Sequence, residues 1–241
     1  MRRADSEAVF DGLEELLRSG ELMQLMSDAR SADKIVERAV SKMLAELVPG
    51  SQVISEESVS SHYSFRGSGW VLDPVDGSRN LLVGLPSFAV GLGLLEDWKC
   101  TAGAIVLPSL GCVLRSDHSP EKGYSKAGSS ATQVVGTGFA EQPDQFDSQL
   151  AIVALLLKEG YAVRELGSAL HSIGLVALGR LTGFVETGLA PWDIAPSVAI
   201  LDSLGIPYRH SLDWQPGIRN SWIACGQSQF VELMVEAIRD D

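Results

Sequence analysis

Residues 70–80 read W-V-L-D-P-V-D-G-S-R-N, an apolar run that ends in two aspartates three residues apart. Two interpretations are open at this point. Asp-Gly and Pro are common turn residues, so an ordinary surface turn explains the segment. Alternatively, a strand ends on Asp73 and Pro74 turns the chain sharply. The Asp76 side chain and the Val75 carbonyl then return towards the strand end, and hard oxygen ligands of this kind suit Mg²⁺.

The two residues that follow Asp76 favour a phosphate site beside such a metal. Gly77 has no side chain that would keep a ligand away from the backbone, and Ser78 is a good N-cap for a short helix over 79–84. A helix N-terminus presents free N–H groups and positive partial charge, which attract phosphate. The segment therefore contains the parts needed to hold a phosphoryl group on a cation.

Composition and charge restrict the class of protein. The chain has 241 residues, enough to bury a sizeable core, and its 31 acidic and 19 basic residues give a net charge of -12. A surface that negative repels nucleic acid and anionic membranes. The sequence has no apolar run of transmembrane length, its first residues predict no signal peptide, and its three cysteines lack metal-ligand spacing. We therefore expect a cytoplasmic protein with reduced cysteines that acts on a small molecule and binds neither nucleic acid nor membranes.

Hydrophobic periodicity predicts a layered fold. Helical spacing near the N-terminus is followed by a predicted helix over 33–47 and then by predicted strands over 52–55, 69–73, 88–95 and 101–108. A loop-like segment at 127–133 separates these from predicted strands over 133–139, 161–166 and 181–186, which alternate with predicted helices over 145–158, 168–178, 193–204 and 227–239. The pattern indicates an α/β (α+β layered) fold with two domains, residues 1–130 and 131–241.

Further carboxylates are candidate metal ligands, each with a plainer explanation. Glu56 and Glu57 follow the predicted strand 52–55, where a solvated acidic loop is the alternative. Asp193 follows a Pro-Trp pair at the start of an apolar helix, and Asp33 begins helix 33–47. An N-cap or first-turn acid explains both of these positions without any ligand.

The motifs around these acids, and their order along the chain, resemble those of the inositol monophosphatase family of Mg²⁺-dependent, lithium-sensitive phosphomonoesterases. The matching segments are S-E-E-S (55–58), D-P-V-D-G-S-R-N (73–80), W-D-I-A-P (192–196) and G-S-A (167–169), together with Glu186. The resemblance runs from about Asp33 to Gly205, whereas the preceding S-D-A-R-S-A departs from the family's usual apolar-Val-Thr pattern. It implies the family's alternating α-β-α-β-α sandwich, a homodimer and a small phosphorylated substrate.

The resemblance also implies a set of metal ligands. Glu56, Asp73 and the Val75 carbonyl would hold a first Mg²⁺. A second Mg²⁺ would be held by Asp73, Asp76 and Asp193, with Asp73 bridging the two ions. Relatives place a third, weaker ion, and the altered segment before Asp33 leaves the number of ions at two or three.

Catalytic and substrate-binding roles follow from the same resemblance. Gly77 and Ser78 would bind the phosphate through their backbone amides. The catalytic residues would be Asp33 and the Ser78 hydroxyl, which orient the attacking water, together with Glu56. The residues that match substrate-contacting positions are Asp76, Ser168, Ala169 and Glu186.

The leading hypothesis is an Mg²⁺-dependent phosphomonoesterase that hydrolyses a small polyol monophosphate, with inositol monophosphate first, by direct in-line attack of a metal-activated water. Relatives use nearly the same metal site on 3′-phosphoadenosine 5′-phosphate, fructose 1,6-bisphosphate or histidinol phosphate, which stay as alternative substrates. A low-turnover regulatory or binding relative is a further alternative. Candidates for binding a second phosphate are Arg164, Arg180, Arg209 and Arg219.

Overall fold

The computed structural model describes residues 3–58, 67–118, 133–139, 146–214 and 219–239. The helices are α1 (Arg3–Arg18), α2 (Glu21–Leu25), α3 (Ala32–Leu47), α4 (Ser78–Leu82), α5 (Phe146–Lys158), α6 (Ala169–Ala177), α7 (Ala195–Leu204) and α8 (Ser228–Arg239). The strands are β1 (Gln52–Ser55), β2 (Ser68–Asp76), β3 (Ala89–Glu96), β4 (Lys99–Leu107), β5 (Cys112–Arg115), β6 (Val134–Thr137), β7 (Ala162–Glu165), β8 (Gly183–Leu189), β9 (Tyr208–Ser211) and β10 (Ser221–Gly226). Across these described ranges, no helix combines the length and the apolar character needed to cross a membrane.

The strands form two five-stranded sheets. The first has the order β1-β2-β3-β4-β5, in which β1 and β2 are parallel and the other pairs are antiparallel. The second has the order β7-β6-β8-β10-β9, in which β7, β6 and β8 run parallel and β10 runs antiparallel to both of its neighbours. Because parallel strands end at the same edge of a sheet, residues that follow β1 and β2 lie side by side, as do those that follow β6, β7 and β8.

Helices cover both sheets and fill the space between them. Helices α1 and α3 bury an apolar face on the first sheet, where Phe10 meets Trp70 edge-on with ring centroids 6.2 Å apart. Helices α6 and α7 lie between the sheets, and α5 and α8 cover the outer face of the second sheet. This arrangement confirms the predicted five-layer α-β-α-β-α sandwich.

Helix α7 approaches the first sheet closely because that sheet is lined with glycines. A Cβ atom added to Gly103 would lie 2.0 Å from the Pro196 carbonyl oxygen, and one added to Gly91 would lie 3.0 Å from the Pro196 ring. Because these glycines carry no side chains, the first turn of α7 can rest directly against β3 and β4. The same contact fixes Asp193, which precedes α7 by two residues, beside the first sheet.

The structure extends and corrects the predicted elements in two places. Strand β2 does not end at Asp73 but continues to Asp76, because a bulge in its pairing with β3 accommodates Pro74. Strands β9 and β10 were not predicted. Y-R-H-S in β9 is a short edge strand with no apolar alternation, and the brief apolar run in β10 does not distinguish strand from helix.

The predicted division into domains stays a prediction. Strands β1 to β5 come from residues 52–115 and strands β6 to β10 from residues 134–226. Most of the predicted boundary, residues 127–132, lies outside the described residues.

Candidate metal and phosphate site

Carboxylates from separate elements line one cavity of about 450 Å³. Glu56 begins a short 3-10 turn directly after β1, Asp73 and Asp76 belong to the end of β2, and Asp193 closes a 3-10 turn that precedes α7. The predicted site residues that line this cavity are Glu56, Asp73, Val75, Asp76, Gly77, Ser78, Ser168, Ala169, Glu186 and Asp193. The structure therefore brings ten of the eleven predicted residues together.

Asp73 is the most deeply buried member of the group. Its residue is 1% exposed, and neither carboxylate oxygen has a hydrogen-bond partner among the described residues. Burial raises the pKa of Asp73 well above its ordinary value, and the negative charges of Glu56, Asp76 and Asp193 add to this effect. An unpartnered buried carboxylate is costly unless a cation neutralises it.

Asp76 is held by the N-terminus of α6. Its Oδ2 atom accepts hydrogen bonds from the Ser168 hydroxyl at 2.8 Å and from the Leu170 backbone N–H at 2.5 Å. Burial raises the pKa of Asp76 to about 7, against the lowering effect of these two hydrogen bonds. Ser168 is also the N-cap of α6, since its hydroxyl oxygen accepts the His171 N–H at 3.1 Å. One serine thus caps the helix and orients a carboxylate.

Gly77 and Ser78 form the turn that links β2 to α4. Gly77 has φ = 89° and is the N-cap of α4, whereas Ser78 is the first helical residue. The prediction that Ser78 caps the helix was therefore wrong, because the left-handed conformation needed at the cap favours glycine. The side chain of Asn80 fixes this turn by donating hydrogen bonds to the carbonyls of Ser87 (2.6 Å) and Leu166 (2.7 Å).

Arg219 lies between two of the carboxylates. Its Nη2 atom is 3.0 Å from Glu56 Oε1, and its Nη1 atom is 3.4 Å from Asp193 Oδ2. Burial raises the pKa of both acids to about 7, and the Arg219 charge opposes that rise. Sequence reasoning proposed Arg219 only as one of four possible ligands for a second phosphate. No motif signalled its position, because it is 163 residues from Glu56 in the chain.

Asp33 lies near the site without lining the cavity. It belongs to the first turn of α3, whose N-cap is Ser31, so the first-turn interpretation is confirmed. Burial raises the pKa of Asp33, and its charge in turn raises the pKa values of Glu56 and Asp73.

The second sheet supplies the opposite wall. Glu186 projects from β8 over Gly138, where an added Cβ would lie 2.1 Å from a carboxylate oxygen. Burial raises the pKa of Glu186 well above its ordinary value, and the charges of Asp76 and Asp193 contribute. Two further lining residues, Phe139 and Glu165, were not identified from the sequence. Both lie at the ends of neighbouring parallel strands, which is the only signal that would have found them.

The donor set fits a hard divalent cation in ligand type and in charge. It consists of carboxylate and carbonyl oxygens, and the Asp73 oxygens lack any other partner. Among the described residues, no three acidic, imidazole or thiol groups already converge at metal-binding spacing. The acids line the cavity from several sides.

The five-layer fold is shared with solved structures of a known protein family. The chain belongs to the inositol monophosphatase family, whose sequence model matches residues 26–211, which confirms the resemblance. Nus factor SuhB of Escherichia coli (strain K12) is 28% identical over 219 residues, covering 88% of this chain and 82% of the relative. Inositol-1-monophosphatase of Mesorhizobium japonicum is 26% identical over 216 residues, covering 86% and 81%. The solved structure of Mycobacterium tuberculosis SuhB has a TM-score of 0.75 at 23% identity, covers 99% of this chain and 96% of that chain, and shares its fold.

Proposed function

We propose that the protein is an Mg²⁺-dependent phosphomonoesterase that hydrolyses a small polyol monophosphate, with inositol monophosphate as the first candidate. The observation that carries the proposal is Asp73, a buried carboxylate with two unpartnered oxygens, surrounded by further acids beside a helix-starting Gly-Ser turn. Membership of the inositol monophosphatase family supports phosphate ester chemistry. A relative named inositol-1-monophosphatase supports the choice of first substrate.

Two Mg²⁺ ions are proposed, each with its own ligands. Glu56, Asp73 and the Val75 carbonyl would hold the first, and Asp73, Asp76 and Asp193 would hold the second. When bound, the ions supply positive charge that neutralises the acidic cluster, lowers the pKa of water and stabilises charge on the phosphoryl oxygens.

The remaining steps belong to the chain's own residues. The backbone N–H groups of Gly77 and Ser78 donate to the phosphate oxygens at the start of α4. Asp33 and the Ser78 hydroxyl orient a water for attack on phosphorus in line with the leaving oxygen. Because the transition state spreads negative charge over the phosphoryl oxygens, fixed donors of this kind stabilise it more than the ground state.

The substrate's hydroxyl groups would face the second sheet. Glu186 accepts hydrogen bonds from them, while Ser168 and Ala169 shape the cavity at the start of α6. Six acids and two arginines, Arg79 and Arg219, line the cavity, and Arg219 is already paired with Glu56 and Asp193. A monophosphate of a polyol therefore suits the cavity better than a bisphosphate.

A low-turnover binding or regulatory role is the second candidate. Two observations favour it. Arg219 places a positive charge between proposed ligands of both ions. The Escherichia coli relative carries the name Nus factor. Such a protein would bind the phosphate ester without releasing phosphate from it.

Phosphate release with and without Mg²⁺ separates the two candidates. The panel contains inositol 1-phosphate, fructose 1,6-bisphosphate, 3′-phosphoadenosine 5′-phosphate and histidinol phosphate. Mg²⁺-dependent release that is fastest from inositol 1-phosphate supports the proposal, and preference for another member of the panel corrects the substrate alone. Binding of the esters without release from any of them supports the second candidate.

Asp76→Asn provides the matched test of the site. Asparagine keeps the volume and an oxygen that accepts the Ser168 and Leu170 hydrogen bonds, so the variant should fold while losing a ligand charge. We expect phosphate release to fall by at least about 100-fold, the scale of losing one charge-stabilising group. Asp97→Asn, the same change in the exposed β3–β4 turn, should leave release unchanged. Near wild-type release from Asp76→Asn would sink the metal assignment.

A further inference from the structure

Arg219 makes contacts that the proposed reaction does not use. Its guanidinium joins Glu56 and Asp193, which are proposed ligands of two different Mg²⁺ ions. Asp193 Oδ2, the oxygen that faces Arg219, also accepts the Ala190 backbone N–H at 2.8 Å. A single arginine therefore contacts one oxygen of a proposed ligand of each ion.

The arrangement of the surrounding carboxylates agrees with this. No three acidic side chains of the described chain converge at metal-binding spacing, although six acids line the cavity and the charges of Glu56, Asp76 and Asp193 all act on Asp73. A planar guanidinium donates in a fork and holds its two carboxylate partners on either side of itself. Divalent ions instead draw carboxylate oxygens together at about 2.0–2.6 Å from the metal. The guanidinium and a divalent ion therefore favour different positions of the same two acids.

The exposure of Arg219 allows it to leave. Its side chain is 40% exposed, whereas the buried Arg115 elsewhere in the fold is 2% exposed and held by three carboxylates. A partly exposed arginine can move its head group into solvent while its stem stays in contact with the protein. Arg219 is thus much less enclosed by the protein than Arg115 is.

We propose that Arg219 is an internal counter-ion that competes with Mg²⁺ for Glu56 and Asp193. The guanidinium stabilises the metal-free cavity, and ions bind only as it moves away. Arg219 thereby sets the Mg²⁺ concentration at which the site fills. This inference rests on the proposed function, because it concerns the same metal ligands.

Calorimetric titration of the full chain with MgCl₂ tests the proposal without measuring catalysis. Arg219→Gln removes the charge and keeps much of the side chain, so Mg²⁺ should bind about tenfold more tightly than to wild type, a gain of about 1.4 kcal/mol. Arg219→Lys keeps the charge but loses the fork, so its affinity should stay within about threefold of wild type. Arg209→Gln is the matched control, because Arg209 lies on β9 and does not line the cavity.

Thermal unfolding in EDTA gives a second readout. Without metal, Arg219→Gln should melt at a lower temperature than wild type, because Glu56 and Asp193 lose their positively charged partner. On addition of Mg²⁺, its melting temperature should rise by more than that of wild type. Asp73→Asn serves as a reference for non-specific Mg²⁺ binding to the acidic surface. The melting curves also show that each variant is folded before its affinity is interpreted.

The outcomes separate this inference from the proposed function. Tighter binding by Arg219→Gln together with unchanged binding by Arg209→Gln supports the competition. Equal or weaker Mg²⁺ binding by Arg219→Gln overturns it and leaves the proposed metal site intact. If neither wild type nor Arg219→Gln binds Mg²⁺ more tightly than Asp73→Asn does, the metal site fails and this inference fails with it.

Discussion

Gly77 joins the end of β2, where proposed metal ligands lie, to the start of α4, where phosphate is proposed to bind. Its backbone has φ = +89°, and an added Cβ would lie 2.8 Å from the Ser87 carbonyl oxygen and 3.0 Å from the Ser168 Cβ. The absence of a side chain thus lets the N-terminal turn of α6 pack against this loop. That contact also brings the Ser168 hydroxyl to Asp76.

Gly77→Ala should destabilise the fold and reduce turnover. The positive φ alone costs about 1–2 kcal/mol for a residue with a Cβ, and the contacts with Ser87 and Ser168 add about 1–3 kcal/mol. Gly84→Ala is the control, since Gly84 also has a positive φ (+76°) but nothing lies within 4 Å of an added Cβ. Chemical denaturation measures both variants, and equal losses would show that the contacts at Gly77 are unimportant.

At the scale of elements, Arg115 attaches α1 to the edge of the first sheet. Its side chain is 2% exposed, and its guanidinium lies 2.7 Å from Asp11 of α1 and 2.8 Å from Asp117. The guanidinium also lies 5.7 Å from the centre of the Phe10 ring. Burial alone would raise the pKa of Asp117, but the hydrogen bond and charge of Arg115 lower it overall.

Arg115→Met should destabilise the protein by about 3 kcal/mol, because it leaves the nearly buried Asp117 without its partner. Arg18→Met is the control. Arg18 also lies 2.7 Å from a glutamate, but its side chain is 68% exposed, so its loss should cost less than about 1 kcal/mol.

The pairing of Asp117 with Arg115 also predicts a pH dependence. Ionised Asp117 contributes stability above its unfolded pKa, and this contribution is lost as the pH falls through its lower folded pKa. The difference in free energy of unfolding between wild type and Arg115→Met, measured by urea denaturation, should therefore shrink below about pH 4.

Helix α7 depends on the glycines of the first sheet for its position. Gly103→Ala would place a Cβ 2.0 Å from the Pro196 carbonyl oxygen, so α7 and the preceding Asp193 must shift. We expect a loss of about 3 kcal/mol of stability and reduced Mg²⁺ affinity, both measurable by thermal unfolding and calorimetry. Thr101→Ala, an exposed position on the same strand, should stay within about 0.5 kcal/mol of wild type. Unchanged Mg²⁺ affinity in Gly103→Ala would mean that α7 does not position Asp193.

For the whole molecule, the proposed metal site connects both halves of the chain. Asp73 and Asp76 belong to the first sheet and Glu56 directly follows its strand β1, whereas Asp193 precedes a helix that lies between the sheets. A ligand held by both parts stabilises the native state over the unfolded chain. The homodimer implied by the resemblance remains a prediction that sedimentation equilibrium can test.

Mg²⁺ should therefore raise the melting temperature of the whole chain in a single transition. At about 100 times the dissociation constant, binding adds about 2.7 kcal/mol, which corresponds to roughly 5–10 °C for a chain of this size. NaCl at equal ionic strength controls for screening of the net negative charge. Asp193→Asn should lose most of the rise; a full rise in that variant would show that the ions bind elsewhere.

The sequence by itself determined the parts of the site that are local. Asp73, Asp76, Gly77 and Ser78 lie within six residues of each other, so a strand followed by a turn necessarily places them together. The periodicity of the apolar residues likewise predicted most helices and strands and the layered fold, because the spacing of apolar residues within a short segment shows which face of the element is buried. The N-cap at Gly77 and the bulge at Pro74 were missed because they depend on the neighbouring strand and helix.

Only the tertiary structure decided which distant groups meet. Glu56, Asp193 and Arg219 come together for two reasons. Helix α7 rests on the glycine-lined first sheet, which places Asp193, and Arg219 lies just before β10, which pairs with β8 in the second sheet. Burial of several acids around one cavity, which raises their pKa values, is likewise a property of packing and has no counterpart in the order of residues. The physical reason is that local pattern fixes which side a residue faces, whereas contacts across the chain depend on how closely whole elements can approach.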